Sequence, residues 1–190
     1  MNKLFITGIP ASGKSYLAKK LARETGGIAV ILDDFRESLA SDERYKKWVN
    51  FFLDKDEEKY YRETSLIDQW NNIILQSEGL WPTFFEKINS YKEEKKYVIF
   101  ECVNILPHLA KKDLDFPGIV LLGRSYEEIL KRNIENPRWG DTLRLQELEA
   151  KSFFNVERLY YKEEAEKYGY PCFETADEAF DTAIKLLKQN

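Results

Sequence analysis

Apolar residues fall into short runs separated by longer stretches at helical spacing. Leu4-Phe5-Ile6-Thr7, Ile28–Leu32, Tyr97–Glu101 and Ile119–Leu122 read as strands, and Pro171-Cys172-Phe173 as a short fifth. Ser15–Glu24 places Leu17, Ala18 and Leu21 on one face and stops before Gly26-Gly27, which predicts a helix closed by glycine. Thr175-Ala176-Asp177-Glu178 forms a capping box, and Ala179, Phe180, Ala183, Ile184 and Leu187 follow at helical spacing. Strands alternating with helices in this way predict a parallel α/β sheet.

Two segments are longer than simple crossovers. Residues 35–96 carry no strand signal but hold an aromatic-rich helical pattern around Trp48, Phe51, Phe52, Tyr60, Tyr61, Trp70 and Trp81, with a break expected at Gly79 to Pro82. Most of these aromatics are expected to pack helix on helix. In residues 125–168, Ser125-Tyr126-Glu127-Glu128 caps a helix that stops at Asn136-Pro137. The loop Arg138-Trp139-Gly140-Asp141 precedes a long helix ending at Gly169. No repeat or low-complexity stretch interrupts the pattern, so residues 1–190 are read as one domain with a helical insertion (35–96) and a lid (125–168).

Composition narrows the function classes. A net charge of −4 and pI near 5.3 argue against a chain whose main partner is bulk nucleic acid or an anionic membrane. No apolar stretch approaches the roughly 20 residues that span a bilayer. Met1 leads directly into a strand without a signal-peptide pattern, so the expected location is the cytoplasm. Cys102 and Cys172 lack metal-like spacing and are expected to be reduced residues near strand ends.

The sharpest chemistry lies directly after the first strand. Residues Gly8, Ile9, Pro10, Ala11, Ser12, Gly13, Lys14 and Ser15 form a complete G-x-x-x-x-G-K-S phosphate loop between a strand and a helix. The glycines let successive N–H groups point into one concavity, and the following helix adds its positive end. Lys14 is expected on the β- and γ-phosphates and the Ser15 hydroxyl on Mg²⁺. Nucleotide contacts are expected from all eight residues, from Tyr16 and from Arg132.

The remaining candidates sit at neighbouring strand ends. Asp33-Asp34-Phe35-Arg36 closes strand two, where doubly wound sheets bind ligands. Asp33 can accept a proton from an attacking alcohol and Arg36 can hold an anionic substrate, while Asp34 is the expected cap of the next helix. Glu101 ends strand three, where it can hold a magnesium-bound water or orient the acceptor. Asn104 reads either as a substrate contact or as a turn residue. Arg132, Arg138 and Arg144 lie in the lid segment, ranked in that order as a γ-phosphate clamp, and Arg124 follows strand four on the side expected for adenine. His108, beside Pro107 in an expected loop, reads as a bystander.

With these residues together, the chain resembles the P-loop kinases of small molecules, most clearly through 3–38 and 97–107. The phosphate loop paired with Asp33-x-x-Arg36 is similar to the group of 2-phosphoglycerate kinases, zeta-type toxin kinases, chloramphenicol phosphotransferases and the kinase domain of polynucleotide 5′-kinases. The resemblance implies a three-layer α/β/α fold with a five-stranded parallel sheet of order 2-3-1-4-5 and a lid between strands four and five. It implies an ATP- and Mg²⁺-dependent phosphotransferase acting on an alcohol, with Asp33 as base or acceptor-binding residue and Arg36 helping to bind the acceptor. Glu101-Cys102-Val103-Asn104-Ile105-Leu106-Pro107 is similar to the E-G-V-H-L-x-P stretch of 2-phosphoglycerate kinases and the E-G-x-N stretch of pantothenate kinases. Cys102 replaces the glycine of both, and Asn104 the histidine of the former. Two other readings remain: a polynucleotide 5′-hydroxyl kinase, opposed by the acidic balance, and an NTP-binding regulator or slow NTPase without an acceptor. The guanine-reading Asn-Lys-x-Asp run is absent, which weakens a GTPase version.

Overall fold

The computed structural model describes residues 2–189. Its five strands, β1 (Lys3–Gly8), β2 (Ile28–Ile31), β3 (Val98–Glu101), β4 (Gly118–Leu121) and β5 (Cys172–Phe173), form one parallel sheet of order β2-β3-β1-β4-β5. This is the sheet that the sequence predicts. Central β1 is buried along its whole length because helices cover both faces, as all-parallel sheets require. Alternation then sorts the side chains. Leu4, Ile6, Ile99, Ile119 and Leu121 pack beneath α1 (Lys14–Thr25) and α10 (Ala176–Lys188). Phe5, Phe100 and Val120 face the opposite layer.

That opposite layer contains α5 (Leu66–Asn89), α6 (Pro107–Asp113) and α9 (Arg158–Tyr168). The expected break at Gly79–Pro82 does not occur, because α5 runs unbroken for 24 residues through both positions. Gly79 serves packing instead. A Cβ there would lie 2.2 Å from the Trp48 ring, so the glycine admits the indole against the helix. Before α5 come the short helices α2 (Leu32–Ser38), α3 (Lys46–Val49) and α4 (Glu57–Glu63).

Between β4 and β5, Ser125 caps α7 (Tyr126–Glu135) and Thr142 caps α8 (Leu143–Ser152), each accepting a backbone N–H. The long final helix of this segment is not uniform. A π-helical turn, Phe153–Glu157, joins α8 to α9, which ends on Gly169 at φ 80°. Such turns insert one residue and re-aim the side chains around them. Among the described residues, no helix is long and apolar enough to cross a membrane.

Candidate active site

Parallel register fixes the geometry of the site. Glu101 pairs with Ile6 on one side and Ile31 on the other, so the ends of β1, β2 and β3 lie side by side. The phosphate loop leaves β1 through Gly8 at φ 122°, where an added Cβ would fall 2.0 Å from the Leu121 carbonyl oxygen. Only glycine fits there. Ile9 N–H then donates to Leu121 O at 3.1 Å, tying the loop to β4. Ala11 takes φ 56°, the single non-glycine residue with positive φ among the described residues, and Gly13 takes φ 97°. These left-handed angles turn the backbone into an anion cradle at the start of α1. Ser12 Oγ closes the loop on Ile9 O at 2.8 Å.

Lys14 and Glu101 lie beneath this cradle, 4 % and 1 % exposed. Lys14 Nζ donates to Ile9 O at 2.7 Å and lies 4.0 Å from Glu101 Oε1. Ser15 Oγ donates to Glu101 Oε2 at 2.8 Å. Burial lowers the Lys14 pKa and raises that of Glu101, while each charge opposes the shift of the other. A hydroxyl and a carboxylate meeting at a polyphosphate cradle form a hard oxygen donor set of the kind Mg²⁺ takes. Tyr16 points outward, 54 % exposed.

Asp33 and Asp34 lie in the first turn of α2. The expected cap is absent: α2 begins at Leu32 after Ile31, with no side-chain capping bond, because the strand runs into the helix one residue earlier than predicted. Asp33 is instead gripped from two sides. Arg36 Nη1 lies 3.0 Å from Asp33 Oδ1, and the Cys102 thiol donates to the same oxygen at 3.3 Å. Burial holds that thiol well above its usual range, so it remains a donor. Arg36 is held in turn by Asn104 Oδ1 at 3.0 Å, and Asn104 Nδ2 donates to Gln76 Oε1 and Ser77 Oγ on α5. Asn104 thus sits in the turn after β3 and is at the same time a buried bracket on the cavity wall, and Cys102 has a polar task that its type alone did not announce.

The arginines of the 125–168 segment separate. Arg132 Nη1 donates to Ala11 O at 3.1 Å, directly on the phosphate loop. Arg138, on the α7–α8 loop, borders the site and its charge acts on Lys14 and Glu101. Arg144 points away and pairs with Glu58 at 2.5 Å on the surface. Arg124 pairs with Glu178 at 3.1 Å on α10, the helix whose first residue, Ala176, lies beside Gly13, and His108, within α6 rather than the expected loop, pairs with Glu164 at 3.0 Å.

A cavity of about 240 Å³ opens beside Pro10 and Asp33. Its walls include Phe52, Tyr61, Trp139 and Phe153, and its polar lining includes Arg36, Asn104, Arg138, Glu149 and Glu157. Trp139 reaches from the α7–α8 loop to ring centroids of Phe52, Tyr60 and Tyr61 at 6.1, 5.8 and 5.8 Å. Its backbone N–H also donates to Glu149 Oε1 at 3.1 Å, and Asn133 donates to the other oxygen. Sequence reasoning missed Glu149 and Glu157. Both fall on the stripe of Ala150, Phe153, Tyr161 and Ala165, and an acid on an apolar stripe was the available signal.

Glu157 carries an energetic cost. It is 7 % exposed, no hydrogen-bond donor faces it among the described residues, and burial pushes its carboxyl up to about 8. The folded protein therefore holds a proton that the unfolded chain has already released. Stability contributed by this group falls as pH rises from its ordinary 4.5 toward about 8. Glu157→Gln is expected to raise the thermal midpoint at about pH 9, the gain vanishing by about pH 4. Equal midpoints for the two proteins at both pH values would contradict this reading.

With this geometry in place, comparison with known proteins is decisive at the family level. A family model described as an AAA domain matches residues 4–153. The chain belongs to this AAA domain family. Among solved structures, shikimate kinase from Acinetobacter baumannii, in complex with shikimate, is similar at TM-score 0.53 and 15% identity, covering 99% of this chain and 93% of that one. Deoxyadenosine kinase from M. mycoides with bound dATP gives TM-score 0.47 and 14% identity, with 98% and 97% covered. No curated protein matches the sequence significantly. Family and topology together establish the P-loop, nucleoside-monophosphate-kinase-like fold expected from the phosphate loop and Asp33-x-x-Arg36.

Proposed function

We propose that this AAA-domain protein is a kinase that transfers the γ-phosphate of ATP to a hydroxyl group of a small molecule. The observation that carries the reading is Asp33, a carboxylate gripped by Arg36 and Cys102 at the point where the cavity meets the phosphate loop. A switch protein needs no such second chamber.

ATP would supply the phosphoryl group, and Ser15 with support from Glu101 would hold Mg²⁺, whose charge would neutralise the phosphate oxygens. The backbone N–H groups of Ile9 to Ser15 cradle the phosphates, and Lys14 exchanges its bond to Ile9 O for phosphate oxygen. Arg132, already on the loop, and Arg138, above it, clamp the charge that spreads over the transferring group. Asp33 orients the acceptor hydroxyl and takes its proton as the new P–O bond forms. Glu101 is unsuited to that task because its oxygens face Lys14 and Ser15. Trp139, seated on Phe52, Tyr60 and Tyr61, lets residues 125–168 act as a lid that excludes water. A walled cavity of about 240 Å³ suits a small molecule rather than a nucleic-acid strand.

The test is incubation with ATP, Mg²⁺ and a panel of hydroxylated metabolites, with products resolved by mass spectrometry. The expected result is ADP and a phosphorylated acceptor in equal amounts. Tight ATP binding with no acceptor modified anywhere in the panel would favour the regulator reading instead.

A further inference from the structure

The cavity holds more acid than phosphoryl transfer requires. Glu149 and Glu157 line it, and Glu57 stands behind Glu149, raised to about 8 by burial and by that neighbour. Of the cations nearby, all but Arg138 are held by other groups, and Lys14 and Arg138 act on Glu157 only through their charge, opposing the upward push of burial. Lys14 is held by Ile9 O and Glu101, Arg36 by Asp33 and Asn104, and Arg132 by Ala11 O. Arg138 is exposed on its loop and forms no ion pair within 4.0 Å among the described residues. Glu149 is satisfied by Trp139 and Asn133, which leaves Glu157 as the buried acid of this group with no hydrogen-bond or ion-pair partner among the described residues.

Other recognition chemistry is scarce in this chamber. The Gln69 carboxamide donates to Thr64 O and accepts from Ser152 Oγ. That of Gln76 donates to Trp48 O and accepts from Asn104. Each amide is thereby anchored, with one N–H left over. What remains is a buried acid with no hydrogen-bond or ion-pair partner among the described residues, kept protonated by burial until a cation meets it, in a chamber also lined by Phe52, Tyr61, Trp139 and Phe153. Aromatic faces attract ammonium groups, and more strongly once water is excluded. Among the described residues no group of three or more His, Cys, Asp or Glu side chains is placed to hold a metal ion, so Glu157 is not part of a metal cluster. Its position is also specific. It is the last residue of the π-helical turn, a local distortion of a kind that often marks functional sites.

We infer that the acceptor is an amino alcohol or amino sugar, whose ammonium group is bound by Glu157 inside the aromatic cage while its hydroxyl faces Asp33. The inference rests on the kinase reading above and names the class of its acceptor. It also gives a reason for keeping a buried acid that weakens the fold, since a bound cation supplies the partner that the chain withholds.

The experiment uses acceptors in matched pairs: ethanolamine, glucosamine and 4-aminocyclohexanol, each beside its N-acetyl derivative. The amine of at least one pair is expected to be phosphorylated with kcat/KM about 100-fold or more above its acetylated partner, because the acetylated compound offers the buried acid no cation to pair with. Glu157→Gln is expected to collapse that ratio, mainly through KM of the amine, while Glu157→Asp retains part of it. Equal turnover of amines and amides, or a ratio that survives Glu157→Gln, overturns the inference but leaves the kinase reading standing. If none of the six is phosphorylated, the broader metabolite panel decides the kinase reading, and calorimetry decides the present point separately. The same six compounds are titrated into wild-type protein saturated with a non-hydrolysable ATP analogue. Binding of an amine without its acetylated partner supports the inference, and no preference in any pair overturns it.

Discussion

Asp33→Asn is expected to lower the rate of phosphoryl transfer by about 10²–10⁴-fold, the range of a positioned general base. The substitution keeps the size and planarity of the side chain. It also keeps an oxygen for Arg36 to meet at the present 3.0 Å, so the α2 turn should survive. What it removes is the capacity to accept a proton from the attacking hydroxyl. Single-turnover measurement with preformed protein and ATP isolates that step from product release. The loss should fall on kcat. Full transfer by the variant would eliminate Asp33 as the base and shift attention to Glu101. A rate recovered by raising pH would instead show that ionising the alcohol is the difficult part. Cys102 bears on the same carboxylate from its other side, so Cys102→Ala should loosen Asp33 without removing it. That makes Cys102 a positioning residue, whose expected signature is a smaller loss than that of Asp33→Asn.

The contrast between Asp33 and Cys102 marks how far the sequence was legible. The phosphate loop is contiguous, and each of its residues acts through the backbone or a neighbouring strand end, so Gly8 to Ser15 could be read directly. The sheet order followed from that loop and its resemblance, and strand register then carried Glu101 beside it. The acceptor chamber was harder to read because it is assembled from distant parts of the chain. Its walls come from residues before and within α4, from α5, from the α7–α8 loop and from the π-helical turn. No local pattern reports that Trp139 will settle on Phe52, Tyr60 and Tyr61. Gly79 and Pro82 misled for a related reason. Propensity reads them as a break, whereas tertiary packing against Trp48 makes the glycine necessary and carries the helix through. Asp34 shows a limit on the scale of one residue, since the position of a cap depends on where the strand stops.

Lys14→Met is expected to abolish detectable transfer, a loss of about 10³-fold or more when the main point charge on the transferring phosphate is gone. Methionine preserves much of the buried apolar stem, so the experiment removes charge rather than volume. It has a structural consequence as well. Glu101, 1 % exposed, loses the ammonium 4.0 Å away and keeps only the Ser15 hydroxyl as its hydrogen-bond donor. Removing one member of a buried pair costs about 3–5 kcal/mol where the partner stays ionised, and a carboxyl whose pKa burial already raises escapes part of that by taking a proton. The single variant should therefore melt earlier than wild type, and the deficit should shrink as pH falls and Glu101 is neutralised. The double variant Lys14→Met/Glu101→Gln separates the two effects. With neither charge buried, it should recover most of the lost thermal midpoint while remaining inactive. Recovery of activity along with stability would mean that Lys14 serves the fold and not the phosphate. Failure to recover stability would mean that Glu101 is not the group Lys14 neutralises. Lys14→Arg offers no rescue in this scheme, because a forked guanidinium cannot occupy the narrow space between Ile9 O and Glu101 that a compact ammonium fills.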